Sequence, residues 1–225
     1  RDPQTAAAVF TGLIQTGFAM QEYFDSRPAS GAEHLMSHVW EMRGCCIVGG
    51  KEASHGFKVA IGTLTTTAIM EELLKLSKSD VEKAAASYKP ETWEERQKSI
   101  AHFVREPSVR DRQIEICRKK FLEGDALAAR QNEIACKWNE LRQKIEGQII
   151  PFAKLKEMFQ TAGCPTEPSD ICLSSENHRY GMRVAQMMRN RYTVVDLLYE
   201  TGLFDAMIES IIDPAGTYFS TWNKA

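Results

Sequence analysis

No apolar run in this chain approaches the ~20 residues that span a bilayer, and its first 24 residues lack the charged start, apolar stretch and cleavage site of a secretory signal. A cytoplasmic protein without a membrane span is the expectation. Charge of one sign is missing too: 28 Lys and Arg stand against 30 Asp and Glu, a formal charge of -2 that offers no broad attraction to nucleic acid or anionic lipid. The six cysteines form no CxxC pairs and are too sparse for a small secreted scaffold, so reduced buried thiols are expected and structural zinc on cysteine is disfavoured. GxGxxG and Walker-type glycine loops are absent, and strand and helix patterns do not alternate. The chain as given therefore has no recognisable nucleotide-binding half.

What is present is ordinary globular composition, 43% hydrophobic and 26% charged over 225 residues, enough for one or at most two domains with a real core. Helical periodicity dominates, and the expected fold class is all-α, a multi-helix bundle occupying residues 1–225. The chain opens on Arg1 rather than Met and enters structured sequence at once, which reads as a fragment or a processed chain. Asp2-Pro3 has the form of an N-cap followed by proline at the first helical position, opening a helix through Phe24. Residues 25–33, with Pro28 and Gly31, read as a loop before a helix that ends near Gly44. Residues 56–76 read as a long, fully buried apolar helix despite Thr65 to Thr67. Charged amphipathic stretches at 91–103, 107–122 and 125–158 read as surface helices, and 174–188 and 194–212 as two more. Strands are conceivable only at Cys45 to Val48 or Val194 to Leu198.

Chemistry concentrates in RPASGAEHLMSHVWEM and SHGFKVAIGTL, which hold three of the five histidines. His34 and His38 are four apart, so on a helix they differ by about 40° and address one cavity. His55 stands at a helix start beside Gly56, whose missing side chain lets a ligand approach the backbone. Neutral imidazoles suit zinc, nickel and iron, although pairs at this spacing are often ordinary surface or core residues. HExxH is not formed, because Glu33 precedes His34. His102 and His178 stand alone in polar sequence and read as solvated, and Met182, Met187 and Met188 read as core filler.

SGAEHLMSHVWEM and HGFKVAIGTL resemble the metal-site motifs of sn-glycerol-1-phosphate dehydrogenases, in the superfamily of iron-containing alcohol dehydrogenase, glycerol dehydrogenase and dehydroquinate synthase. AGCPTEPSDICLS and MRNRYTVVDLLYETGLFD resemble the C-terminal helices of the bacterial branch. The resemblance implies a dehydroquinate synthase-like C-terminal domain, with the NAD(P)-gripping N-terminal domain missing. It makes His34 and His55 ligands of a divalent metal, zinc, nickel or iron. It turns His38 toward substrate and nicotinamide as the catalytic and substrate-binding histidine. The third family ligand, an aspartate well upstream of the HxxxH element, has no counterpart, since Asp2 and Asp25 sit too close to His34. The implied activity interconverts dihydroxyacetone phosphate and sn-glycerol 1-phosphate with NAD or NADP in the parent protein, a homodimer as is common in the family.

A phosphorylated polyol needs cationic partners, and Arg27, Lys51, Lys58, Arg189 and Arg191 are candidates by position. Arg189 and Arg191 serve equally well as charges complementing a helix C-terminus. Asp196 and Glu200 form an i,i+4 carboxylate pair that reads more simply as a solvated face. Glycerol dehydrogenase, dehydroquinate synthase and a non-catalytic helical interaction or dimerisation module are the competing readings.

Overall fold

The structure is a computed structural model describing Asp2 to Trp222, so that Arg1 and residues 223–225 lie outside the described residues. Its helices are α1 (Pro3–Tyr23), α2 (Ala32–Arg43), α3 (His55–Lys75), α4 (Lys78–Ser87), α5 (Trp93–Phe103), α6 (Pro107–Arg118), α7 (Gly124–Cys136), α8 (Trp138–Glu146), α9 (Phe152–Ala162), α10 (Ser175–Met188), α11 (Val194–Glu200) and α12 (Phe204–Ile212). One hairpin interrupts them, β1 (Ile47–Val48) and β2 (Lys51–Glu52), so the fold class is all-α. Among the described residues, no helix is long and apolar enough to cross a membrane.

Two compact units divide between Gly31 and Ala32. In the first, the Asp2 carboxylate accepts from the Gln4 and Thr5 backbone N–H groups and Pro3 opens α1, as the sequence predicts. Phe24 takes the left-handed conformation that ends the helix, ahead of a short 3-10 turn at Arg27–Ala29. The apolar residues Val9, Phe10, Leu13 and Phe18 are exposed, and α1 has no buried residue.

The second unit is built around α2 and α3. Gly62 permits their close approach, for a Cβ there would sit 2.5 Å from the Glu33 carbonyl oxygen. Helix α10 also packs against α2, where Gly181 makes room for the Trp40 indole, whose Nε1–H donates to the Asn177 carbonyl at 3.1 Å. Trp40, Ile61, Leu64, Ile69, Leu73, Trp138 and Phe219 are fully buried in this core, while Ile100, Cys117 and Met187 form a smaller cluster under α5 and α6.

Several boundaries differ from the sequence reading. The 125–158 stretch is three helices, because Lys137 leaves helical geometry and Gly147 and Pro151 bracket a second break. The 194–212 stretch divides at Gly202, whose φ of 73° ends α11 before Phe204 starts α12. α3 buries one face rather than its whole circumference, with Phe57 exposed and Thr63, Thr66 and Thr67 half-buried. Val194 to Leu198 is helical, and only the Cys45 to Val48 region supplies a strand. All six cysteines are free, but burial is uneven: Cys46 and Cys117 are buried and Cys136 is exposed.

Candidate metal centre

His34, His38 and Glu41 follow one another on α2 at i, i+4 and i+7, one face of the helix. The chain then leaves α2 at Gly44 and reverses through Gly49 and Gly50, both with positive φ (57° and 78°), the conformation that suits a two-residue hairpin turn. The Ala53 N–H closes the hairpin on the Cys46 carbonyl at 2.8 Å. Ser54 caps α3 by accepting from the Phe57 N–H at 3.2 Å, so His55 opens the helix already returned to α2.

The three imidazoles meet there. Ring centroids are 4.8 Å apart for His34 and His38, 4.7 Å for His34 and His55, and 5.3 Å for His38 and His55. One ligating atom from each lies within 4.8 Å of the others. Glu41 binds two of these rings: its Oε2 is 3.0 Å from His38 Nδ1 and its Oε1 2.7 Å from His55 Nδ1. Lys58, one turn into α3 and 2% exposed, reaches Glu41 Oε1 at 3.4 Å and Glu52 Oε1 at 2.6 Å.

This network sets the protonation states. Burial pushes the Glu41 carboxyl upward, but the hydrogen bonds from His55 and His38 and the charge of Lys58 overrule it and hold it at about 2. An ionised carboxylate only accepts, so both Nδ1 atoms carry a proton toward Glu41, and Nε2 is the atom each ring can offer a metal. Burial, followed by the neighbouring His38 and His55, pushes His34 down and favours its neutral form. Burial acts to lower Lys58 as well, and is outweighed by Glu52 and Glu41, which keep the ammonium charged. Metal-binding imidazoles are characteristically anchored through their second nitrogen by a carboxylate. Three clustered imidazoles, two of them held in this manner, fit a divalent cation of the zinc, nickel or iron class.

The structure thus brings together the three sequence-predicted histidines, and it adds Glu41, which sequence reasoning passed over although its i+3 spacing from His38 was the available signal. Of the basic candidates, Lys58 joins the cluster but is committed to two carboxylates. Lys51 is exposed on β2, Arg189 caps α10 and Arg191 follows it, while Arg27 pairs with Asp25 in the first unit. His102 is exposed as expected. His178 is a correction: it is fully buried, its Nε2 lies 2.8 Å from Thr65 Oγ1, and burial depresses it to about 3. Asp196 and Glu200 are a correction also. Both are buried, Asp196 against Lys120 at 2.6 Å and Glu200 accepting from the Tyr192 hydroxyl at 2.8 Å.

Comparison with known proteins gives one consistent result. The chain is 46% identical over 57 residues to a glycerol-1-phosphate dehydrogenase [NAD(P)+] of Halalkalibacterium halodurans, covering 25% of this chain and 14% of that protein. It is 37% identical over 103 residues to the Korarchaeum cryptofilum enzyme of the same name, covering 42% and 32%. The Thermococcus kodakarensis enzyme is 43% identical over 61 residues, covering 27% and 16%. These matches show partial similarity to proteins named glycerol-1-phosphate dehydrogenase. The chain spans at most about a third of the length of these curated relatives. No protein-family profile and no solved structure matches it.

Proposed function

We propose that this chain is the helical, metal- and substrate-binding domain of an NAD(P)-linked sn-glycerol-1-phosphate dehydrogenase with a dehydroquinate synthase-like C-terminal fold. The observation that carries the reading is the cluster of His34, His38 and His55 with Glu41 behind two of the rings. Similarity to enzymes named for glycerol 1-phosphate and NAD(P)+ supports the substrate pair and the cofactor.

In this reading His34 and His55 hold the ion through a ring nitrogen each. When bound, a divalent cation supplies Lewis acidity to the substrate oxygen at the carbon that exchanges hydride with the nicotinamide. Glu41 fixes the tautomer and orientation of His38 and His55, and the Lys58 charge keeps Glu41 ionised in a partly desolvated place. His38, half-buried, presents Nε2 to the substrate side, where it can accept the hydroxyl proton or return it.

Assay of the full-length protein separates this reading from glycerol dehydrogenase. Reduction of dihydroxyacetone phosphate with a kcat/KM at least roughly a hundredfold above that for dihydroxyacetone is expected of a site that neutralises phosphate. The opposite ratio would assign the free polyol, and no turnover of either by a folded, metal-loaded protein would favour the interaction module.

A further inference from the structure

Cys45 and Cys46 stand side by side at the joint between α2 and the hairpin, with their sulfurs 3.9 Å apart. They differ from the other thiols. Cys117 is buried and donates to the Met187 carbonyl at 3.2 Å, and Cys136 sits exposed at the end of α7. In the adjacent pair, Cys45 is half-buried while Cys46 is buried, so the more accessible residue is paired with a shielded neighbour. The Cys46 thiol's hydrogen bond holds Cys45 below its ordinary value against the effect of burial, aided by the Arg43 and Lys58 charges, whereas that bond and burial push Cys46 up. Such an asymmetric pair has an attacking and a resolving member.

We propose that Cys45 and Cys46 are a hydroperoxide-responsive dithiol whose closure to a vicinal disulfide displaces His55. The Cys45 thiolate attacks a peroxide oxygen; the O–O bond breaks, Cys45 becomes a sulfenic acid, and the other oxygen leaves as alcohol or water after protonation. The Cys46 sulfur then attacks the Cys45 sulfur, the S–O bond breaks, and hydroxide departs with the Cys46 proton as water. Two thiols lose two electrons in total and one hydroperoxide gains them.

The coupling to His55 follows from geometry. A disulfide needs its sulfurs at about 2.05 Å, and Cα atoms of sequence neighbours are only about 3.8 Å apart, shorter than the usual ~4.4–6.8 Å span. Closure therefore moves backbone and leaves a bond that is easily reduced. That backbone carries the Cys46 carbonyl, which accepts the Ala53 N–H closing the hairpin two residues before His55. On the other side, the Cys45 backbone N–H donates to the Trp40 carbonyl at 3.4 Å, next to Glu41. Both partners of the 2.7 Å His55 to Glu41 bond are thus tied to the dithiol. Metal need not be bound for this linkage.

The test uses the reduced, metal-free chain exposed to hydrogen peroxide, then thiol blocking, trypsin and mass spectrometry. Peptide Gly44–Lys51, which holds both sulfurs, is expected to lose ~2 Da reversibly with dithiothreitol, while the His55 ring resonances shift and far-UV circular dichroism stays unchanged. Cys45→Ser and Cys46→Ser are each expected to abolish both the mass loss and the shift. An unmodified peptide, oxygen addition without the 2 Da loss, or a disulfide that leaves the His55 resonances unmoved would each overturn the proposal. None of these outcomes depends on metal affinity, so a failure here is distinct from a failure of the metal-centre reading.

Discussion

Glu41 holds two imidazoles with two oxygens, and an amide in its place has one acceptor and one donor for the same pair of N–H groups. Glu41→Gln is therefore expected to leave the helices intact and weaken zinc or nickel binding about 10–100-fold, measured by calorimetry. Unchanged affinity would reduce Glu41 to a surface ion pair. The three histidines were legible in the sequence because i,i+4 spacing and a His-Gly helix start are local signals. Glu41 lay on the same helical face but was hidden by the ordinary look of a glutamate near a helix end. His178 was misread for a related reason: SENHRYG is polar, yet α10 turns that residue onto α3, where Thr65 gives its hydroxyl proton to the Ile61 carbonyl and accepts from His178 Nε2. Asp196 and Glu200 were misread likewise: Lys120, which pairs with Asp196, comes from a distant segment, and Tyr192 folds from the loop before α11 onto Glu200.

α2 and α3 can hold the histidines in register only while they touch at Gly62. Gly62→Ala places a methyl carbon 2.5 Å from a backbone oxygen that cannot rotate away, and a cost of roughly 1–3 kcal/mol is expected in denaturant unfolding, together with weaker metal binding as the helices part. Gly62→Ala with wild-type stability would show that the two helices are free to slide. Gly181→Ala is expected to cost a similar amount and, by displacing the Trp40 indole, its hydrogen bond to Asn177. Most element positions were readable from periodicity and caps: α1, α2, α3 and α10 begin and end within a few residues of their sequence prediction. The breaks at Lys137 and within 194–212 were not. The first depends on Trp138 burying under α3, with its Nε1–H on the Leu76 carbonyl at 2.9 Å, a contact across the fold. The second needed Gly202 to be read as a positive-φ cap between two helices that each continue the apolar pattern.

For the whole molecule, the buried His178 links stability to pH. Its folded value of about 3 lies below the ordinary 6.5, so the unfolded chain binds the extra proton between these values; the contribution is complete above about 6.5 and is lost as pH falls toward 3. The expected slope approaches 1.4 kcal/mol per pH unit in that window and flattens in His178→Phe, as measured by urea unfolding from pH 7 to 4. A slope unaltered by the substitution would place the acid sensitivity elsewhere. The histidine cluster and the partial similarity to glycerol-1-phosphate dehydrogenases lead to one claim, that this chain binds a metal through His34 and His55, beside His38. Calorimetric titration with zinc and with nickel tests it most directly. One ion per chain, with affinity falling at least about a hundredfold in both His34→Ala and His55→Ala, is the predicted result. A folded chain that takes up neither ion, or binds both as tightly after the two substitutions, would contradict it.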